Sequence, residues 1–163
     1  MKRVFATAAL TLATTVVGMS TATAQSPHFV GTPTCTKSLS TGLTCTGKVA
    51  GLGSATTRVF LDASSVSVTT ACANPGRPTE IVPGQPITTG AVEGEPVDIP
   101  PRNGRINIRA TLSVPETPAA QDVCPNRRWT VLVTSVTFND VTLHVEQPPG
   151  NEVLSFFFGD IDP

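Results

Sequence analysis

Apolar and polar residues alternate along most of this 163-residue chain, in short runs that end at glycine, proline or Asn-Gly. A period of two places every second side chain on one face of an extended strand, whereas an amphipathic helix requires a period of 3.6. The pattern predicts about eight or nine strands, a number typical of a two-sheet sandwich. We therefore expect an all-β fold, a two-sheet sandwich of immunoglobulin-like arrangement, with a jelly roll or a small barrel as the alternative. The runs occupy residues 32–37, 43–49, 56–70, 86–92, 96–110, 129–138, 141–145 and 154–158.

The clearest turn is Asn103-Gly104, between two alternating runs. Asn-Gly is the preferred pair for a type I′ hairpin turn, because both central residues need a positive φ. Pairing about this turn sets Ile99 opposite Ile108 on the apolar face. The same register sets Asp98 opposite Arg109 on the other face, where we expect only a solvated surface ion pair.

The C-terminal third of the chain predicts a three-strand meander. A two-residue turn at Asn139-Asp140 would end the first strand, and a wider turn at residues 148–151 would end the second. A change of parity near Thr134-Ser135 indicates a bulge that keeps Trp129 facing inward. Phe156 and its alternating neighbours then face the second strand, so we expect Trp129 and Phe156 in the core.

Four cysteines follow the N-terminal segment, at Cys35, Cys45, Cys72 and Cys124. An even number in an exported chain indicates two disulfides, and the absence of any Cys-x-x-Cys pair argues against zinc. A hairpin centred on Ser40 places Cys35 directly opposite Cys45, close enough for a bridge. The remaining pair is then Cys72 with Cys124.

The first 24 residues have the three parts of a secretory signal peptide: the basic start Met1-Lys2-Arg3, an apolar stretch at 4–19, and Ala22-Thr23-Ala24. The apolar stretch is shorter than the ~20 residues that a membrane-spanning helix needs. We expect residues 1–24 to be removed and residues 25–163 to form one secreted domain without a transmembrane segment.

The charge of the mature chain argues against nucleic acid as a partner. Without Lys2 and Arg3, nine basic residues stand against twelve acidic ones, a net charge of −3. Binding to nucleic acid or to an anionic membrane through a polybasic segment requires a basic excess. We expect neither partner.

Catalytic groups are scarce, since the mature chain has only His28 and His144 and no Gly-x-Ser-x-Gly motif. A copper site built on the two histidines would need His28 at the mature N-terminus, which the predicted cleavage site does not provide. The acidic group Glu93, Glu95 and Asp98 lies in a turn-like segment, where solvated carboxylates are expected rather than a glycosidase pair. We therefore predict no enzymatic activity, no metal and no cofactor.

Five motifs follow one another along the chain: residues 43–53, Cys72-Ala73-Asn74-Pro75-Gly76, Asn103-Gly104, Cys124-Pro125-Asn126 before Trp129-Thr130, and Val136-Thr137-Phe138. In this order they resemble a group of small secreted actinobacterial proteins of unassigned function. The resemblance covers most of the mature chain, and it implies secretion and disulfide content without assigning a catalytic residue.

Two long proline-rich segments, 72–85 and 114–128, lack strand patterning, and such loops are often functional. A Cys72–Cys124 bridge would join them into a rigid basic surface on an otherwise acidic protein. We predict a monomeric, non-catalytic extracellular binding or surface-associated protein, whose partner is an extracellular protein or a cell-wall component. A secreted protease inhibitor is the alternative, and a polysaccharide-active protein ranks below it. The candidate binding residues are Asn74, Arg77, Asn126, Arg127 and Arg128.

Overall fold

Antiparallel strands make up nearly all regular structure in residues 26–162, the part of the chain that this computed structural model describes. The predicted signal peptide, residues 1–24, lies outside the described residues. One short helix, α1, spans Ala120–Val123. The strands are β1 His28–Phe29, β2 Thr34–Ser38, β3 Gly42–Ala50, β4 Thr57–Ala63, β5 Ser65–Asn74, β6 Arg77–Pro83, β7 Ile87–Thr88, β8 Val92–Glu93, β9 Val97–Ile99, β10 Arg105–Leu112, β11 Thr130–Glu146 and β12 Glu152–Ile161.

The strands form two sheets. In the four-stranded sheet, β3 pairs with β10 along one edge and with β1 and β2 along the other. The eight-stranded sheet is built on β11, which pairs with β4 and β5 along one edge and with β12 along the other; β8 and β9 extend it beyond β4, and β6 and β7 extend it beyond β5. The two sheets pack against each other, which confirms the all-β sandwich. The immunoglobulin-like arrangement stays a prediction.

The core lies between the two sheets and follows the alternation of the sequence. In β10 the odd-numbered residues are exposed and the even-numbered ones are buried, so Ile106 and Leu112 face inward. Phe138 of β11 is the largest fully buried side chain. The buried cluster comprises Leu43, Cys45, Val49, Leu52, Val59, Leu61, Ala63, Val66, Val68, Ile106, Ile108, Ala110, Leu112, Val136, Phe138, Val141, Leu143 and Val145.

Both disulfides join the expected partners. Cys35 and Cys45 are directly opposite in the β2–β3 register, with their Cα atoms 4.0 Å apart. Cys72 and Cys124 have Cα atoms 5.7 Å apart. The β2–β3 turn ends at Gly42, whose φ of 87° is a conformation that side-chain-bearing residues adopt at a cost.

The Asn103-Gly104 turn forms as predicted, with φ values of 52° and 69°, and it sets Arg102 opposite Arg105. The predicted pairing of Ile99 with Ile108 is wrong, because the strands before and after the turn belong to different sheets. β10 pairs with β3, whereas β9 pairs with β4. Pro100-Pro101 explains the separation, since two successive residues without an N–H cannot continue the ladder.

The predicted ion pair of Asp98 with Arg109 is therefore also wrong. Asp98 lies opposite Arg58 of β4, and the Arg58 guanidinium donates to its carboxylate at 2.9 Å. The hydrogen bond from Arg58 holds the pKa of Asp98 below its usual value. Arg109 is left on the outer face of the four-stranded sheet, opposite Thr46.

The predicted turn at Asn139-Asp140 is wrong as well, because β11 runs without a break through these residues. From Ser135 onward one register pairs β11 first with β5 and then, after Asp140, with β4. Asp140 has a positive φ of 52° within this strand, and Ser64 Oγ donates to its carboxylate at 2.8 Å. The bulge predicted near Thr134-Ser135 is confirmed by a register shift between Val133 and Ser135.

The last strand pairs largely as expected. Phe156 lies opposite Leu143 and packs against the core, while Phe157 points outward and is 63% exposed. A register shift places Gly159 opposite Val141, so the simple alternation expected beyond Phe156 does not continue to this point.

The prediction of a core position for Trp129 is wrong. Trp129 precedes β11 in a turn, where its backbone N–H donates to Asn126 O at 3.0 Å, and its side chain is only half-buried. Val123 of α1 is buried at this end of the sheet instead, because the Cys72–Cys124 bridge holds α1 against β5 and β11.

Candidate functional site

The two histidines lie on opposite outer faces of the sandwich. His28 is an exposed residue of β1, and its Nδ1 lies 2.9 Å from Ser26 O. His144 is on the outer face of β11, in the other sheet. The core separates them, so the structure does not bring them together as the ligands of one metal ion. Within residues 26–162 no group of three or more metal-binding side chains could hold a metal ion.

His144 joins three strands of the larger sheet. Its Nε2 lies 3.1 Å from Asp62 Oδ1 on β4, and its Nδ1 hydrogen bonds to Glu152 on β12. The ring stacks on Phe60 with centroids 4.8 Å apart. Burial lowers the pKa of His144, but the hydrogen bonds and negative charges of Glu152 and Asp62 outweigh it, so the pKa lies above 6.5. The arrangement is that of a structural clasp, because both ring nitrogens are engaged.

The predicted acidic group is divided in the structure. Glu93 and Glu95 line a cavity of about 250 Å³ beside the end of β10, whose apolar wall includes Leu112 and Val114. Asp98 lies elsewhere, in its ion pair with Arg58. The three carboxylates therefore do not form one acidic cluster.

The five candidate binding residues lie at one end of the eight-stranded sheet. We call this region the stapled end; it comprises residues 69–74 of β5, the turn at 75–76, β6, α1 and residues 125–135. The register sets Ala73 opposite Thr130, so the β5–β6 turn lies beside the segment that leads into β11. The Cys72–Cys124 bridge crosses between them, with Cys72 fully buried. The two proline-rich segments therefore lie next to each other in the structure, as predicted.

Short polar contacts shape both turns of the stapled end. The Gly76 N–H donates to Asn74 Oδ1 at 3.0 Å, and the Arg128 N–H donates to Asn126 Oδ1 at 3.0 Å. Asn74 also donates through Nδ2 to Glu80 at 3.0 Å. Asparagine is suited to these positions because its side chain closes a turn on the backbone two residues ahead.

Three exposed arginines, Arg77, Arg127 and Arg128, project from these turns. The ion pairs within residues 26–162 are those of Arg58 and His144, so none of the three guanidinium groups is neutralised by a carboxylate of the described chain. This charge lies on a chain whose formal net charge at pH 7 is −1. The stapled end can therefore attract negatively charged groups at close range.

Sequence reasoning missed an apolar patch beside the arginines. Segment 72–85 was expected to lack strands, yet β6 pairs with β5 and sets Ile81 next to Ala73. On the other side of β5, Leu132 lies opposite Ala71. Ile81 is 56% exposed and Leu132 is 39% exposed, so two large aliphatic side chains flank a row of alanines on an uncovered face. The signal in the sequence was the set of β-branched residues Thr79, Ile81 and Val82, which the flanking prolines obscured.

Comparison of the chain with protein-family models, curated proteins and solved structures finds no match. No helix within residues 26–162 is both long and apolar enough to cross a membrane.

Proposed function

We propose that this chain is an exported, monomeric, non-catalytic binding protein whose stapled end binds an acidic extracellular protein. One observation carries the proposal: an uncovered apolar patch and three arginines without carboxylate partners share a single end tied by a buried disulfide. Protein interfaces commonly combine an apolar centre with a polar rim, and arginine is among the residues enriched in them. The signal-peptide pattern and the resemblance to small secreted actinobacterial proteins support export.

The apolar patch supplies the contact area. Ile81 and Leu132 project on either side of Ala71 and Ala73, which leaves a shallow trough between them. A partner side chain placed in this trough would remove both aliphatic groups from water, a gain of about 25 cal/mol for each Å² of apolar surface buried. The trough therefore fits an aliphatic or aromatic anchor on the partner.

The arginines supply selectivity. Charge at the rim of an interface raises the rate of encounter with a partner of opposite sign and disfavours partners of the same sign. The Cys72–Cys124 bridge and the two asparagine-closed turns hold the rim in place before binding. Less conformational entropy is then lost when the complex forms.

The protease-inhibitor alternative draws less support from the same geometry. Both loops joined by the Cys72–Cys124 bridge fold back on themselves in hydrogen-bonded turns. A protease groove that binds its ligand by strand addition requires an extended segment. Stoichiometric inhibition of serine proteases by the uncleaved mature protein would nevertheless replace our proposal.

The test is a comparative pull-down from the culture fluid and the envelope fraction of the producing cells. Two variants alter the site, Ile81→Ser with Leu132→Ser, and Arg77→Ser with Arg127→Ser and Arg128→Ser. The control, Lys48→Ser with Arg105→Ser and Arg109→Ser, removes the same charge from the other sheet. We expect one acidic protein to be captured by the wild type and the control and lost by both site variants. Capture by all forms alike, or of a wall polymer in place of a protein, would contradict the proposal.

A further inference from the structure

The four-stranded sheet contains no acidic residue. All residues of β1, β2, β3 and β10 lie in the described part of the chain, and none is an aspartate or glutamate. The acidic residues of the fold are concentrated elsewhere, with Asp62, Glu146 and Glu152 on the eight-stranded sheet. The sandwich therefore has an unequal distribution of charge that the net charge of the whole chain, −1, conceals.

Four cations gather on the outer face of the smaller sheet, which we call the basic face. Arg105 and Arg109 are exposed residues of β10, and Lys48 of β3 lies opposite Asn107 between them. Arg102 is directly opposite Arg105 across the Asn-Gly turn, so the two side chains share this face. Residues opposite each other in an antiparallel pair have Cβ atoms about 5 Å apart.

Like charges in such a pair repel each other and destabilise the sheet. On the eight-stranded sheet, Arg58 is paired with Asp98, and His144 lies against both Asp62 and Glu152. No ion pair within residues 26–162 involves the cations of the basic face. An external anion would relieve the repulsion between Arg102 and Arg105.

The shape of the face indicates the kind of anion. Arg105 and Arg109 are four residues apart on one strand, which places their Cα atoms about 13 Å from each other, with Lys48 between them on the next strand. The surface is an open sheet rather than a pocket, so it offers a row of cations to an extended ligand. Hydroxyl and amide groups occupy the positions between the charges and can hydrogen bond to sugar hydroxyls. These are Thr34, Thr36, Thr44, Thr46, Asn107 and Thr111.

We infer that the basic face binds a linear anionic glycopolymer, through salt-sensitive contacts of Arg102, Arg105, Arg109 and Lys48. The site differs in residues and sheet from the stapled end, so the protein could hold a polymer with one surface and an acidic protein with another. The Cys35–Cys45 bridge supports the face by joining β2 to β3 beneath it.

The experiment measures binding of the mature protein to three polymers: polygalacturonate, which carries carboxylates; a glycerol-phosphate teichoic acid, which carries phosphodiesters; and dextran, which is neutral. We expect Kd values for one or both anionic polymers to rise at least about tenfold in Arg105→Ser with Arg109→Ser. Binding should also weaken steeply with added salt, and dextran should not bind. Preference between the two anionic polymers identifies the anionic group.

The matched control is Arg77→Ser with Arg127→Ser, which removes two charges from the stapled end. Equal melting temperatures of the two variants and the wild type establish that both remain folded. An equal loss of affinity in both variants would show a response to total charge and overturn the inference, as would wild-type binding to neither anionic polymer. The pull-down of the acidic protein depends on residues of the stapled end, and polymer binding depends on residues of the basic face. Either proposal can therefore fail while the other is supported.

Discussion

Removing the bridge of the stapled end, by Cys72→Ala with Cys124→Ala, should destabilise the protein more than removing the hairpin bridge by Cys35→Ala with Cys45→Ala. A disulfide lowers the conformational entropy of the unfolded chain, and the reduction grows with the logarithm of the length of the loop that it closes. The sequence separations are 52 for Cys72–Cys124 and 10 for Cys35–Cys45. The corresponding losses are about 4 and about 3 kcal/mol, against a total stability of about 5 to 15 kcal/mol for a typical domain.

The two variants are well matched because each removes one fully buried sulfur, at Cys72 or Cys45, and one partly buried sulfur. The location of the damage should nevertheless differ. Cys45 belongs to the central core cluster, whereas Cys72 lies outside it. Loss of the Cys72–Cys124 bridge should release residues 113–129, which contain only the one-turn helix α1, and leave the sandwich folded.

Equilibrium unfolding in urea measures the two free energies, and limited proteolysis with mass spectrometry locates the released segment. We expect the first cuts of the Cys72→Ala, Cys124→Ala variant within residues 113–129, together with loss of partner capture in the pull-down. An equal or larger destabilisation by the hairpin variant would refute the loop-length reasoning. Proteolytic resistance of residues 113–129 would refute the view that the bridge organises the stapled end.

Three further outcomes are expected. Phe138→Ala should lower the free energy of unfolding by about 3 to 5 kcal/mol in urea titrations, because Phe138 is fully buried in the core. Trp129→Ala should cost clearly less in the same titrations, since Trp129 is half-buried and outside the core; equal costs would restore a core role. Because the pKa of folded His144 is raised, its contribution to stability is present in full below pH 6.5 and is lost as pH rises through the folded pKa. His144→Gln should therefore remove a decline in stability that the wild type shows as the pH rises above 6.5, and identical pH profiles of the two proteins would contradict the clasp.

Part of the candidate site could be predicted from the sequence, because a disulfide converts sequence spacing into spatial proximity. The Cys72–Cys124 pair was enough to place Arg77 and Arg127 at the same end of the sheet, since each arginine lies within a few residues of a bridged cysteine. The apolar patch was missed because Ile81 lies between Pro78 and Pro83, which suggested a loop. Proline is tolerated at a sheet edge, and β6 is an edge strand.

The basic face was hidden by a wrong register. Pairing β9 with β10 assigned Asp98 to Arg109 and so neutralised one of its cations. In the structure Pro100-Pro101 directs β9 to the other sheet, where Asp98 meets Arg58. The sequence alone shows that residues 28–50 and 105–112 contain no acidic residue. That absence indicates a basic face only because the strands in these two segments share one sheet.

The sequence by itself determined the features that depend on near neighbours: the extended strands with alternating faces, the Asn103-Gly104 turn and the β2–β3 hairpin with its Cys35–Cys45 bridge. Only the tertiary structure decided that β11 continues through Asp140, that β9 leaves β10, and that cations without carboxylate partners collect on one face. The physical reason is that a period of two specifies which side chains share a face of a strand. Backbone hydrogen bonds can join any two strand edges, so the choice of partner is made by packing between residues far apart in the chain.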